Sequence, residues 1–411
     1  MMKLVGGRRM TFREKVCRLI ALIFGDFIYL ISVIVPKRKN LWVFGAWMGE
    51  TYSDNSKYLF EYVIKNYPEI QAVWLVNNET TLKLLKSKNY PVFKSYSLKG
   101  TWISMRAKVA VLSTWFSDIN WFTVPNKKFA LLWHGTPLKK IGFDDKKNSD
   151  ITSGRRKAFF KLFPYISQDF SKILITAPSD IVRKLFVGAF KSTENIRITG
   201  FPRNDVFSQK DVENFPIKAK ILELKKKYKI GIYMPTHRKN SRREFDAYIA
   251  ENLDMVNSRL KEIDVVLLFK YHVFNPHTAK NRKNEYSNII ILNNEDINQD
   301  VYPLLTLVDF LVTDYSSIYF DFLLADKPII FAPFLSEQYI CNDRELYFNY
   351  NEVTPGPKAK NWDELLICIE ETIKKPDEYK RQRAELNNKF NQYHDGGNCK
   401  RVFDEIIRFI T

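Results

Sequence analysis

From Pro36 onward, short apolar runs alternate with longer stretches of mixed polarity. LWVFGAW (41–47), AVWLV (72–76), AKVAVLS (107–113), FALLWH (129–134), KILITA (172–177) and IRITG (196–200) have the length and side chains of buried strands. Residues 54–66, 79–88 and 179–190 read as helices between them. A second series begins near residue 228, with strands at 229–236, 264–271, 288–293, 309–316 and 327–333. Its helices fall near 243–261, 299–307, 316–325, 361–374 and 376–392. Near-continuous apolar strands alternating with helices predict an α/β fold with parallel sheets covered on both faces. Residues 208–227 are polar and Lys-rich and suit a linker. The expected organisation is a separate N-terminal segment (1–39) and two Rossmann-like lobes (40–215 and 216–395) with a cleft between them. A last helix (396–411) would pack back on the first lobe. There is no internal sequence repeat. In open α/β sheets ligands bind at the carboxyl ends of strands, so chemical residues belong just after the apolar runs.

The segment before Pro36 follows another pattern. Residues 19–35 read LIALIFGDFIYLISVIV, flanked by Arg8, Arg9, Arg13, Lys15 and Arg18 on one side and Lys37, Arg38 and Lys39 on the other. Seventeen helical residues reach about 25 Å, short of a ~30 Å hydrocarbon core, and Asp26 sits mid-run. No small-residue cleavage site follows. The favoured expectation is a helix lying on an anionic inner leaflet; a helix buried against the body and a true span are the alternatives.

Charge sharpens that reading. The chain of 411 residues carries 64 Lys and Arg against 46 Asp and Glu, a net +18. Nine basic and two acidic residues fall within 1–40, so the excess is partly local. Nucleic acid, anionic membrane and phosphorylated small molecules all fit such a surplus. With 31 Phe, 21 Tyr and 8 Trp the chain can fill a large core, which excludes whole-chain disorder and low-complexity architectures. Cys17, Cys341, Cys368 and Cys399 form no CxxC pair and no zinc spacing, as in a reduced cytosolic protein.

Several strand ends carry chemistry. WHGTPLKK (133–140) sets His134 at the end of an apolar run, Gly135 where a ligand can approach, and Thr136–Pro137 as the first positions of a helix. A histidine there suits a general base or a turn contact. VTDYSSIYFDFL (312–323) runs from Thr313 and Asp314 into Ser316 and Ser317, which would open a helix as an anion site or as an ordinary cap; Asp321 lies about a turn further. PTHR (235–238) offers Thr236 and Arg238 to a diphosphate, and KYH (270–272) puts Lys270 and His272 at the same rim. His277 reads as structural. In GFPRND (200–205), Arg203 either reaches a phosphate or pins the turn between lobes. Lys139–Lys161 holds eight Lys/Arg and three Asp, by default a solvated face, though next to His134 it could receive an anionic lipid head or polymer. GxxxxGK[ST], GxGxxG and HExxH are absent, which disfavours NTPase, dinucleotide and tightly held metal chemistry.

KYLFEY (57–62), WHGTPLKKIGFD (133–144), GFPRNDVF (200–207), YMPTHR (233–238), DFLVTDYSSIYFDF (309–322) and LYFNYNEVTPGP (346–357) together resemble the CDP-glycerol glycerophosphotransferase family of teichoic acid and related capsule synthesis. The resemblance runs from about residue 40 to 395. It implies a GT-B-type fold with an acceptor lobe, a nucleotide-donor lobe and the active site between them. It implies catalytic roles for His134 and His272, and nucleotide or diphosphate binding by Thr313, Asp314, Ser316, Ser317 and Asp321, with help from Arg238. Two departures stand out: His237 where members often carry Trp, and Lys270 where Arg is common. The implied reaction moves an alditol phosphate, glycerol phosphate or ribitol phosphate, from a CDP-activated donor to a hydroxyl of a lipid-linked or polymeric glycan, releasing CMP at the cytoplasmic face of the membrane. No cofactor is firmly implied; a divalent metal such as Mg is compatible, but no dedicated site is seen. No nucleic-acid partner is expected, since RRM, KH and helix-turn-helix signatures are missing. The alternatives are a GT-B glycosyltransferase using a nucleotide-sugar, and a non-enzymatic basic membrane or nucleic-acid binding protein.

Overall fold

The computed structural model describes residues 12–145, 170–236, 242–270, 286–334 and 345–411, with the side chains of 12–22, 242 and 243 excepted. The first sheet is built from β1 (Arg38–Gly45), β2 (Gln71–Val76), β3 (Val92–Lys94), β4 (Ala107–Leu112), β5 (Lys128–Leu131), β6 (Ile173–Ala177) and β7 (Ile196–Ile198). All pair in parallel, in the order β3-β2-β1-β4-β5-β6-β7. The second holds β8 (Lys229–Met234), β9 (Val265–Phe269), β10 (Ile289–Ile291), β11 (Phe310–Thr313) and β12 (Ile329–Phe331), again parallel, in the order β10-β9-β8-β11-β12. The apolar runs of the sequence are therefore strands. β3, which the apolar pattern does not announce, is three residues long at the sheet edge.

Parallel strands need crossover helices, and these cover the faces. Beside the first sheet run α1 (Phe12–Ile34), α2 (Asp54–Asn66), α3 (Glu79–Ser87), α4 (Leu98–Arg106) and α5 (Asp180–Phe190). With the second come α6 (Lys218–Leu224), α7 (Arg242–Glu262), α8 (Tyr302–Leu305), α9 (Ile318–Phe322), α10 (Tyr350–Val353), α11 (Trp362–Lys374) and α12 (Lys380–Phe390). Covered on both sides, β6, β9 and β11 are buried along their whole length.

The final helix, α13 (Asn398–Ile410), lies on the first sheet. Phe403 stacks on Trp42 and Tyr67, at 5.6 and 3.8 Å between ring centroids. The carboxylate of Asp205 accepts from the Asn398 and Cys399 amides at 2.9 and 2.8 Å, taking up two N–H groups that a helix start leaves unpaired. One apolar cluster runs unbroken from Val43, Leu75 and Leu131 of the first sheet to Ile232 and Leu311 of the second.

α1 packs one side on the turn Trp121–Thr123. At Gly25 a Cβ would fall 2.3 Å from the Phe122 ring, so only glycine lets the helix approach so closely. Ser32 donates to the Thr123 carbonyl, and Lys37 reaches the Met105 carbonyl at 2.6 Å. Ile23, Phe24, Phe27, Leu30 and Ile34 stand exposed on α1; Leu98 and Trp102 do so on α4, which packs on the same turn. Among the described residues no helix is long and apolar enough to cross a membrane.

Strand order reverses between β1 and β4 in the first sheet and between β8 and β11 in the second. Crevices at such switch points are where open parallel sheets hold ligands.

Candidate active site

The carboxyl ends of both sheets line one cleft of about 520 Å³. From the first sheet come Trp47, Asp54, His134, Gly135, Thr136 and Arg203. From the second come Thr236, Lys270, Asn294, Tyr302, Ser316 and Ser317.

His134 follows β5, which ends at Leu131, three residues before the sequence pattern would end it. Leu132 still pairs with the Leu112 carbonyl, and Trp133 then turns with φ +59°. That turn carries the imidazole toward the cleft. Its Nδ1 is 3.3 Å from the Ser113 carbonyl. A carbonyl only accepts, so Nδ1 carries a hydrogen, and in the neutral imidazole Nε2 is then the nitrogen without one. Trp133 and Trp47 flank the ring at 4.2 and 5.4 Å.

Gly135 (φ +127°) has no room for a side chain: a Cβ would lie 2.8 Å from Arg203 Nη2 and 3.1 Å from Ser317 Oγ. The His-Gly turn thus touches the serine tip of the second sheet. Thr136 is buried and its hydroxyl has no hydrogen-bond partner among the described residues. The helix expected after Pro137 does not form. The chain instead runs extended to pair Lys139 with Leu346, held by the Tyr347 amide on the Leu138 carbonyl (2.9 Å) and the Lys140 amide on the Glu345 carbonyl (2.8 Å). Backbone partners across the cleft win over a local helix.

On the opposite wall, the Thr236 amide and hydroxyl both donate to Asp314 Oδ1, and the Thr313 hydroxyl donates to the Met234 carbonyl at 2.8 Å. Thr313 and Asp314 are fully buried and lock the ends of β8 and β11 together, while Thr236, Ser316 and Ser317 line the opening. Ser316 and Ser317 precede α9, a helix of five residues, so their hydroxyls rather than a helix dipole are what they offer. Lys270 donates to Asn294 Oδ1 at 2.9 Å; burial pushes its ammonium down to about 8, against the upward pull of Glu295 and Asp296.

Arg203 settles between its two expected roles. Its guanidinium is buried and binds Asp54 Oδ1 at 2.8 Å and Asp321 Oδ2 at 2.6 Å, over the Tyr302 ring at 4.7 Å. Tyr302 also donates to Asp321 at 2.8 Å. Burial alone would lower the Arg203 pKa; Asp321, Tyr302 and Asp54 outweigh it and hold the group charged. Arg203 therefore ties α2 to α9, and Asp321 lies behind the lining with its Oδ2 engaged. Two predicted residues, Arg238 and His272, lie outside the described residues, as do His277 and all of the basic run after Asp145. Among the described residues no cluster of three His, Cys, Asp or Glu could hold a metal.

Sequence reasoning missed Trp47, Asp54 and Tyr302. For Trp47 and Asp54 a signal existed: GAWMGETYSDN directly follows the first strand, at a switch point. The backbone marks the spot as well, with positive φ at Trp47, Met48, Asp54, Trp133 and Gly135. Left-handed backbone costs a non-glycine residue roughly 1–2 kcal/mol and is kept where the surroundings enforce it, often at functional sites.

His134 on one side and Thr236, Lys270, Ser316 and Ser317 on the other line one cleft at the carboxyl ends of two parallel sheets, the setting of a transferase active site. Residues 27–408 match the sequence profile of CDP-Glycerol:Poly(glycerophosphate) glycerophosphotransferase, and the chain belongs to that family. It is 29% identical over 378 residues to a teichoic acid glycerol-phosphate transferase of Staphylococcus aureus, covering 90% of this chain and 93% of the relative. It is 25% identical to a teichoic acid poly(glycerol phosphate) polymerase of Bacillus spizizenii, over 97% and 98% of the two chains. Its fold resembles the solved wall teichoic acid polymerase TagF with a TM-score of 0.70 and 23% identity, over 97% of both chains.

Proposed function

We propose that the enzyme moves glycerol phosphate, with ribitol phosphate as the runner-up, from a CDP-alditol to a hydroxyl of a lipid-linked or polymeric glycan. The observation that carries this is the meeting of the His134–Gly135 turn with Ser317 in one cleft. The acceptor oxygen attacks the alditol-bearing phosphorus and gives its proton to His134 Nε2. The bond from that phosphorus to the CMP oxygen breaks, and CMP leaves with the electron pair. Thr236, Lys270, Ser316 and Ser317 face the diphosphate, and the family resemblance adds Arg238 and His272. Asp314, Thr313 and Asp321 act from behind by fixing strand ends and Arg203. Positioning and charge compensation supply most of the rate in such transfers.

In this reading the chain divides near residue 215 into an acceptor lobe and a donor lobe of GT-B type. The exposed apolar side of α1, with Leu98 and Trp102 of α4, rests on the anionic cytoplasmic face of the membrane, where the acceptor's lipid is anchored. The test is a donor screen with a soluble lipid-linked acceptor: CDP-glycerol or CDP-ribitol should release CMP. Release of UDP from UDP-sugars, with neither CDP-alditol consumed, would point to a glycosyltransferase instead.

A further inference from the structure

Lys270 stands where β9 opens into the cleft, and its ammonium is met by a residue from the loop that follows β10. Its amide donates to the Tyr233 carbonyl at 3.0 Å, so β8 fixes its backbone. Its Nζ donates to Asn294 Oδ1 at 2.9 Å, and both residues line the cleft. An ammonium only donates, so the carboxamide turns its oxygen toward it. Asn294 is itself held firmly. Further along its loop, Asn298 (φ +48°) and Gln299 (φ +68°) are consecutive left-handed residues. The Gln299 amide closes back on the Asn294 carbonyl at 2.7 Å. The far end of the loop is tied to the first sheet's side, where Gln299 Oε1 accepts from the Tyr52 amide at 2.9 Å and Asp300 accepts from Lys57 at 2.8 Å. Left-handed backbone at two neighbouring non-glycine residues persists because these ties enforce it.

Resting on the transferase reading above, we propose that Asn294 is the positioning residue of Lys270, setting its ammonium against the diphosphate of the donor. Burial pushes this lysine down to about 8, so it sheds its proton within a working pH range unless an acceptor favours the charged form. An arginine at this place would stay charged throughout; a lysine depends on its partner. A carboxamide supplies the acceptor without adding a negative charge that would repel a diphosphate. The other charges around the ammonium are accounted for. Glu295 and Asp296 of the same loop pull its pKa upward. Asp314 accepts from Thr236, and Asp300 from Lys57 and Tyr58. From the first sheet, His134, Lys139 and the Asp54–Arg203 pair line the same cleft.

The experiment compares the full chain with Asn294→Ala and Asn294→Asp, each also made in the Lys270→Arg background. Donor kcat/KM is followed by CMP release from CDP-glycerol, with a soluble lipid-linked acceptor, across the titration of Lys270. Removing the acceptor lowers the pKa of the ammonium, so Asn294→Ala should move the alkaline limb down by about one pH unit. A carboxylate raises it, so Asn294→Asp should move the limb up. In the Lys270→Arg background neither change should move it. Limbs that coincide with the wild type, that move the same way in both variants, or that still move in the Lys270→Arg background overturn the assignment. Asn294→Asp keeps the side-chain shape, so its upward shift decides the matter even if Asn294→Ala does not fold. If CDP-glycerol yields no CMP with the wild type, the transferase reading fails by itself. NMR titration of isotope-labelled lysine, with the Lys270 signal assigned through Lys270→Arg, then still decides the role of Asn294: opposite shifts in the two variants uphold it, and unmoved titration refutes it.

Discussion

A neutral imidazole takes a proton only through the nitrogen that carries none. For His134 that choice is made by one backbone carbonyl, Ser113. Across the cleft, Lys270 is a buried ammonium that titrates near 8, because burial lowers it more than Glu295 and Asp296 raise it. Below that pH it is charged and, at the proposed donor site, would attract a diphosphate; above it the attraction would fade. Donor kcat/KM should therefore fall as pH rises through about 8, and Lys270→Met should flatten this limb, as read from initial rates of CMP release. His134, Ser316 and Ser317 were legible in the sequence because each directly follows an apolar run, and strand ends carry ligands. Arg203 was legible only as a choice of two roles. Its partners Asp54 and Asp321 lie 149 and 118 residues away, and no local pattern encodes such a distance.

At the scale of elements, periodicity read the strands well, since strands buried on both faces leave uninterrupted apolar runs. It failed after Pro137, where the chain pairs with residues 345–347, and at β3, which is too short to leave a pattern. α13 depends on a remote cap. Asp205→Ala should leave the Asn398 and Cys399 amides buried without a partner and cost about 1–3 kcal/mol, seen in denaturant unfolding and as earlier proteolysis of the C-terminal helix. In the N-terminal segment one side of α1 packs on Phe122 and Thr123, as the buried-helix alternative expects, and the other exposes apolar side chains, which the proposed membrane contact would cover. Replacing Phe24, Phe27 and Leu30 by Ser should lower binding to anionic vesicles by about tenfold or more in sedimentation, while the melting temperature stays close to that of the wild type. Unchanged sedimentation would move the membrane contact elsewhere.

Over the whole molecule, the two sheets are held together by polar ties as well as by the shared apolar cluster. Arg203 links Asp54 to Asp321, and the 138–140 segment pairs with 345–347. Near residue 300, Lys57 of α2 binds Asp300 at 2.8 Å and Glu213 at 2.6 Å, and Tyr58 donates to Asp300 at 2.7 Å. Burial would lower the Lys57 pKa, but Asp300, Glu61 and Glu213 hold it above its usual value. Lys57→Met strands Asp300 and should cost about 3–5 kcal/mol in equilibrium unfolding, part of which Asp300→Asn should restore. These ties bridge the two sheets on either side of the cleft. The central claim, that His134 accepts the proton of the attacking hydroxyl, is tested most directly by single-turnover CMP release from CDP-glycerol with a lipid-linked acceptor. His134→Ala should slow release by about 10²-fold or more while donor binding persists; release within a few-fold of the wild type would contradict it.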